Sequence, residues 1–213
     1  MPIGTTTRLP ISGAEAISQA ASALRRGELV AFPTDTLYGL GAHGLLFEAV
    51  DRLYQVKGRP RHMAIPLLLP DAAAVKSVCV RIPPVVWRLA EHFWPGGLTL
   101  VLHRAPSVPD IVTAGRPTVA VRVPDQASVH ELCRQLDAPL ATTSANRHAQ
   151  TPAVTADDVQ VQLGEQVALI LDGGRCPGGL ASTILDLTVC PAAILRAGPV
   201  TAEQLAHFLP LRG

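Results

Sequence analysis

Short apolar runs alternate with stretches of helical period along the first half of this chain, and nothing else in the sequence restricts its fold so strongly. Ala16, Ile17, Ala20 and Leu24 fall on one face of a segment over residues 14–26, and Gly27 supplies its stop. Residues 29–32 read as a buried strand. Val50, Leu53 and Tyr54 mark a helix over 47–56, with Gly58 placed as its C-terminal cap. A second strand is expected over 65–69, then a short helix from Asp71 to Cys79. Another helix, over 84–93, stops at Pro95-Gly96-Gly97.

The second half differs. Strands are expected over 98–103, 118–123 and 140–143, with a helix over 127–136. Thr155 with Asp158 forms a capping-box pattern for a helix to Leu163, and Thr201 with Gln204 forms another for a helix to Leu209. Three strands, 167–171, 183–187 and 193–196, come in quick succession. Early alternation and late clustering imply an α/β domain with a mixed sheet rather than a wholly parallel one. Such folds hold ligands beyond strand ends, which directs attention to the polar segments 33–36, 144–146 and 172–182.

The 213 residues carry 18 Lys and Arg against 17 Asp and Glu, a net charge of +1. Wrapping nucleic acid needs many uncompensated cations, so this balance permits a local basic groove and no more. Aromatics are 4% of residues, too few for extended base-stacking platforms. A hydrophobic content of 48% excludes disorder. Cys79, Cys133, Cys176 and Cys190 include no Cys-x-x-Cys pair and are expected to be buried small hydrophobes. Residues 1–10 show no apolar secretory core. The most apolar stretch, 63–75, is broken by Pro66, Pro70 and Asp71, short of a membrane span. A soluble, cytoplasmic protein is expected.

Gly39, Gly41 and Gly44 spell Gly-x-Gly-x-x-Gly after a strand, with Asp71 beyond the next one. The spacing is poor for a dinucleotide turn, because six residues separate Phe32 from Gly39, so these glycines are expected to serve turns. No P-loop, His-Glu-x-x-His or Gly-x-Ser-x-Gly motif is present. Residues 57–62 (Lys-Gly-Arg-Pro-Arg-His) form a dense basic cluster at a helix end. It either complements the helix dipole on a solvated surface, or holds phosphate, with the Lys57 ammonium as a point charge and an Arg as a fork. Residues 142–146 put hydroxyls and an amide at a strand end, either capping a turn or presenting donors to an anion. Arg122 lies inside an apolar strand and needs a partner, either a core carboxylate or one on a ligand. Asp172-Gly173-Gly174 and Gly178-Gly179 mark ordinary turns or a mobile, close-approaching loop before Ser182.

One ordered set of motifs then stands out: Pro33-Thr-Asp-Thr-Leu-Tyr-Gly-Leu40, Lys57-Gly-Arg-Pro60, Pro95-Gly96 with Leu98-Thr-Leu-Val101, Val121-Arg-Val-Pro-Asp125, Thr143-Ser-Ala-Asn146, Asp172-Gly-Gly174 and Ser182-Thr-Ile-Leu-Asp186. Together they resemble the YrdC/TsaC family of L-threonylcarbamoyladenylate synthases. The resemblance covers residues 12–210, in the family's short single-domain form. It implies a YrdC-like twisted mixed sheet flanked by helices, around a deep, positively lined cleft. It further implies an ATP-dependent nucleotidyltransferase that converts L-threonine, bicarbonate (or CO2) and ATP into threonylcarbamoyl-AMP and pyrophosphate, with Mg²⁺ accompanying ATP. A downstream threonylcarbamoyl-transferase would pass the group to an adenosine of tRNA, and any direct contact of this chain with tRNA would be weak.

On matching positions the resemblance gives catalytic roles to Lys57, Arg59, Ser144 and Asn146. It gives ATP contacts to Lys57, Arg59, Thr118, Thr142, Asn146 and Arg196, and threonine contacts to Thr36, Arg122, Ser144 and Ser182. Arg122 can fork onto the threonine carboxylate. The chain departs from the family at Ala64-Ile65, where Pro-Leu is usual. It departs again at Leu68, where some members carry a threonine-binding His, and at Arg147-His148-Ala149, where Leu-Ser-Gly is common. The implied chemistry is capture of CO2 by the threonine amine and in-line attack of the N-carboxylate on the α-phosphorus. That needs positioning and charge neutralisation rather than a protein nucleophile. RNA binding through the same groove, and a carbamoyl-phosphate-dependent relative like the YrdC-like module of hydrogenase-maturation proteins, stay open as alternatives.

Overall fold

The computed structural model describes residues 6–177 and 180–212; Gly178 and Gly179, read above as part of a loop, lie outside the described residues. Among these residues eleven strands form one mixed sheet. In chain order they are β1 (Thr7–Pro10), β2 (Val30–Phe32), β3 (Gly39–His43), β4 (Leu67–Leu68), β5 (Cys79–Val80), β6 (Leu98–Arg104), β7 (Thr118–Arg122), β8 (Leu140–Ser144), β9 (Leu169–Asp172), β10 (Thr183–Asp186) and β11 (Ala193–Arg196). Their spatial order is β1-β9-β2-β3-β8-β4-β7-β6-β10-β11, with β5 added on β6. β9 runs parallel to β1 and β2, β4 to β7, and β6 to β10; the other pairs are antiparallel. The helices are α1 (Ala14–Arg25), α2 (Phe47–Lys57), α3 (Val75–Val78), α4 (Val85–Phe93), α5 (Asp110–Thr113), α6 (Ala127–Leu136), α7 (Ala156–Leu163) and α8 (Ala202–Ala206).

Both expected capping boxes form, at Thr155 with Asp158 and at Thr201 with Gln204. The last helix is shorter than expected and stops at Ala206. The strand expected over 65–69 is regular only at Leu67 and Leu68, because Pro66 and Pro70 flank it and neither can donate to a ladder, although Leu69 N still donates to Arg122 O and Pro66 O accepts from Thr142 N. β1 lies before residue 12 and pairs along its whole length with β9. Cys79, Cys133 and Cys176 are buried as expected, whereas Cys190 is exposed. Among the described residues no helix is long and apolar enough to cross a membrane.

Register decides which side chains share a face. Leu68 stands opposite both Leu140 and Arg122, Gly39 opposite Ser144, and Thr99 opposite Ile184, itself opposite Arg196. Because side chains alternate along each strand, one face of the sheet carries Phe32, Leu68 and Leu140 toward one side and Thr99, Arg122 and Arg196 toward the other. α1 and α6 cover only the apolar part, through Ile17, Leu24, Leu132 and Leu136 against Phe32, Leu140 and Leu171. The opposite face is sealed by α2, α4 and α7, where Leu53, Leu89 and Val159 belong to the same core as Leu40, Leu67 and Val121.

Of the three glycines expected to serve turns, Gly44 does so, in the turn after β3, whereas Gly39 and Gly41 do not. Gly39 and Gly41 belong to β3, hydrogen-bonded between β2 and β8. A Cβ at Gly41 would stand 2.5 Å from Phe32 Cε1, and one at Gly39 would stand 2.9 Å from Thr142 Cγ2. Glycine here lets the Phe32 ring lie across β3, and the dinucleotide fingerprint is a coincidence of spelling. Gly41→Ala is expected to cost about 1–3 kcal/mol by overpacking, read as a lowered urea midpoint. Adding Phe32→Leu should recover part of that loss.

Candidate active-site cleft

A cavity of about 310 Å³ opens on the polar part of the uncovered face, with Arg59, Arg122, Arg196, Leu68, Ser144 and Ser182 in its lining. It crosses the sheet surface instead of sitting beyond one set of strand ends. The reason is direction: β8 is antiparallel to β4, and β4 is parallel to β7. Ser144 and Arg122 therefore end strands that point opposite ways, yet they share one face and one cavity.

Arg122 is the charged residue of the apolar strand, and both partners considered for it have a place. Its Nη2 donates to both oxygens of Asp35, at 2.7 and 2.6 Å, and its Nε donates to Gly96 O at 2.8 Å. Nη1 has no protein acceptor among the described residues, so a core carboxylate holds the fork while one edge faces the cavity. Burial lowers the guanidinium's pKa and Asp35 opposes that shift. Beside it, Thr99 Oγ1 lies 2.7 Å from Ser182 Oγ, and Arg196 donates to Ser182 O and Oγ. Among the described residues Arg196 has no carboxylate partner, and burial followed by the neighbouring Arg122 charge pushes its pKa down.

Arg59 enters from the other side. α2 ends on Gly58, whose φ of +60° is left-handed, and this turn directs the chain back to the cleft. Arg59 donates to the carbonyls of Met63 and Ala64, and burial lowers its pKa. It too lacks a carboxylate partner among the described residues. Thr36 and Thr142 line the cavity as well. Thr34 Oγ1 accepts from the Thr36 and Leu37 amides and fixes the turn that carries Thr36.

Lys57 and Asn146 stand behind this surface rather than in it. Both are 4% exposed. Lys57 Nζ shares its three protons among four acceptors, Ser144 O at 2.8 Å, Ser144 Oγ at 3.1 Å, Asn146 Oδ1 at 2.8 Å and Asn146 O. Asn146 Nδ2 in turn donates to Arg147 O and Gln150 O. The ammonium expected on phosphate is thus occupied by the loop it anchors. Burial first, and Arg59 second, push it down to about 8. Thr118 is not brought to the cavity. It stands opposite His103 at the far end of β7, four residues from Arg122, about 13 Å along the strand.

The Sua5/YciO/YrdC model, described as "Telomere recombination", matches residues 22–198. The chain belongs to this family. Among its Sua5/YciO/YrdC relatives, the threonylcarbamoyl-AMP synthase of Pyrococcus abyssi is 38% identical over 89% of this chain and 56% of its own length. The human threonylcarbamoyl-AMP synthase is 35% identical over 95% of this chain and 81% of its own. The crystal structure of P. abyssi Sua5 complexed with L-threonine superposes with a TM-score of 0.90 at 34% identity, covering 98% of this chain and 62% of that one. The chain therefore spans little more than half of the P. abyssi member.

Three residues of the family cleft were not singled out from the sequence. Asp35 lies inside Pro33–Thr36, where a carboxylate between two threonines signals a partner for a buried cation. Thr99 is a hydroxyl inside the apolar run 98–103, and that break was its signal. Tyr38, wholly buried, donates to Gly174 O at 2.8 Å and accepts from Gly173 N, tying β3 to the glycine segment after β9. Burial raises its pKa to about 12. Asp172 closes the same knot. It accepts from Gly174 N and from Arg8, and these bonds hold its pKa below 3.8. Its stabilisation is complete above 3.8 and is lost as pH falls through the lower folded value. Asp172→Asn should flatten the acid limb of stability below pH 3.8, measured by denaturation at stepped pH.

Proposed function

We propose that the chain forms threonylcarbamoyl-AMP from L-threonine, bicarbonate or CO2, and ATP, releasing pyrophosphate and supplying the group that modifies tRNA adenosine. The cleft chemistry carries this reading. A guanidinium locked by Asp35, with one edge to the cavity, sits beside the Ser182 hydroxyl, and two further guanidinium groups, without carboxylate partners among the described residues, line the same space. The first set suits an amino-acid carboxylate and the second suits phosphates. The likeness to a Sua5 structure holding L-threonine supports the same assignment.

The threonine amine would capture CO2 to give an N-carboxylate, losing a proton. A carboxylate oxygen then attacks the α-phosphorus, the bond to the bridging oxygen breaks, and pyrophosphate leaves. Arg122 and Ser182 hold the amino acid, Thr36 lines the same space, and Arg59 and Arg196 offset the charge on the phosphates. The lining contains no Asp or Glu, and Asp35 is engaged by Arg122. Mg²⁺ would accompany ATP as its phosphate-bound ion, since the lining offers no carboxylate to hold it.

Pyrophosphate release with L-threonine, bicarbonate and ATP each omitted in turn tests the reading. Release that needs all three is expected. Release that ignores L-threonine would contradict it, as would ATP binding without turnover when every component is present.

A further inference from the structure

We infer that Thr99 is a positioning residue that makes Ser182 a hydrogen-bond donor to the substrate carboxylate, an inference that rests on the amino-acid reading above. Thr99 is 2% exposed and Ser182 6%. Their hydroxyl oxygens are 2.7 Å apart, and among the described residues Thr99 Oγ1 has no other hydrogen-bond partner. Each hydroxyl has one proton. Arg196 Nη2 lies 3.1 Å from Ser182 Oγ, and a guanidinium only donates, so Ser182 accepts there.

Two polarities are conceivable for the Thr99–Ser182 bond. If Ser182 donated, the Thr99 proton would be left at a buried site with no protein acceptor, which costs about 1–3 kcal/mol. If Thr99 donates, both lone pairs of Ser182 are filled, by Thr99 and by Arg196. The Ser182 proton then turns to the cavity. The backbone permits little escape: a Cβ at Gly198 would lie 2.4 Å from Ala181 O and 2.4 Å from Thr183 N, and Thr183 Oγ1 is tied to Val200 O at 2.7 Å. Ser182 so arranged cannot accept from an ammonium group. With Arg122 Nη1 it forms a pair of donors, which selects a carboxylate.

Calorimetric binding of L-threonine without ATP to wild type, Thr99→Val, Thr99→Ser, Ser182→Ala and the Thr99→Val/Ser182→Ala double variant tests this. Thr99→Val should weaken binding about tenfold, the equivalent of roughly 1.4 kcal/mol, and Thr99→Ser should restore it. Added to Ser182→Ala, Thr99→Val should change binding less than about twofold, because coupled residues are not additive. A full Thr99→Val loss in the Ser182→Ala background, or a Thr99→Ser variant as weak as Thr99→Val, overturns the inference. Should Thr99→Val fail to fold, Thr99→Ala carries the same comparisons. Wild-type binding with Thr99→Val unchanged overturns the inference alone. Wild type that does not bind L-threonine overturns the amino-acid reading and the inference with it.

Discussion

Lys57→Met is expected to lose stability and turnover together. The substitution keeps chain length and removes the ammonium, leaving Ser144 O, Ser144 Oγ, Asn146 O and Asn146 Oδ1 without their donor. Unpaired buried acceptors of this kind should cost on the order of 3 kcal/mol, read by denaturant titration. Ser144 and the loop to Gln150 then lose their anchor, and a displacement of about 1 Å at a reacting centre can cost about 10²-fold in kcat. Lys57→Arg should not rescue, since a planar fork cannot meet acceptors arranged around a compact ammonium. The pH response separates the two effects. With the folded pKa lowered from 10.5 to about 8, the unfolded chain keeps its proton through that window while the folded chain releases it. This group therefore makes stability rise with pH between those values, whereas kcat falls as the ammonium loses its proton above about 8. A Lys57→Met variant that folds with wild-type stability and keeps wild-type kcat would remove Lys57 from its anchoring role.

Arg122→Lys carries the other large effect. Lysine can meet Asp35 but cannot also hold Gly96 O and present a second planar edge. The KM for L-threonine should rise about 10²-fold, because truncating a buried charge-paired donor typically costs about 2–5 kcal/mol in binding. ATP binding, followed by a fluorescent analogue, should change little. Asp35→Asn should give a milder rise, since the amide keeps one acceptor for Nη2 but no charge. Equal losses of ATP and L-threonine affinity in Arg122→Lys would show that Arg122 holds the fold of the cleft rather than the amino acid.

What the sequence made legible was local. α6 falls where its apolar spacing places it, and both capping boxes lie within four residues of chain. The misses involve partners far away in sequence. β3 looked like turn material because its glycines answer to Phe32 on the next strand, not to their own neighbours. The anchoring contacts of Lys57 were invisible because its acceptors lie 87 and 89 residues on. Arg122 could be seen to need a partner, but Asp35 is 87 residues away. Strand direction was also invisible, and it is the reversal between β8 and β7 that puts the cleft on a sheet face. The family resemblance still named seven residues that line the cavity, Thr36, Arg59, Arg122, Thr142, Ser144, Ser182 and Arg196. It placed Thr118 among them, and the structure keeps that residue at the far end of its strand.

The most direct measurement is mass spectrometry of the nucleotide products after incubating the chain with MgATP, L-threonine and ¹³C-bicarbonate. The account predicts threonylcarbamoyl-AMP carrying the label, formed together with pyrophosphate and absent when L-threonine is left out. Consumption of ATP to unlabelled AMP or ADP, at a rate indifferent to L-threonine, would contradict it.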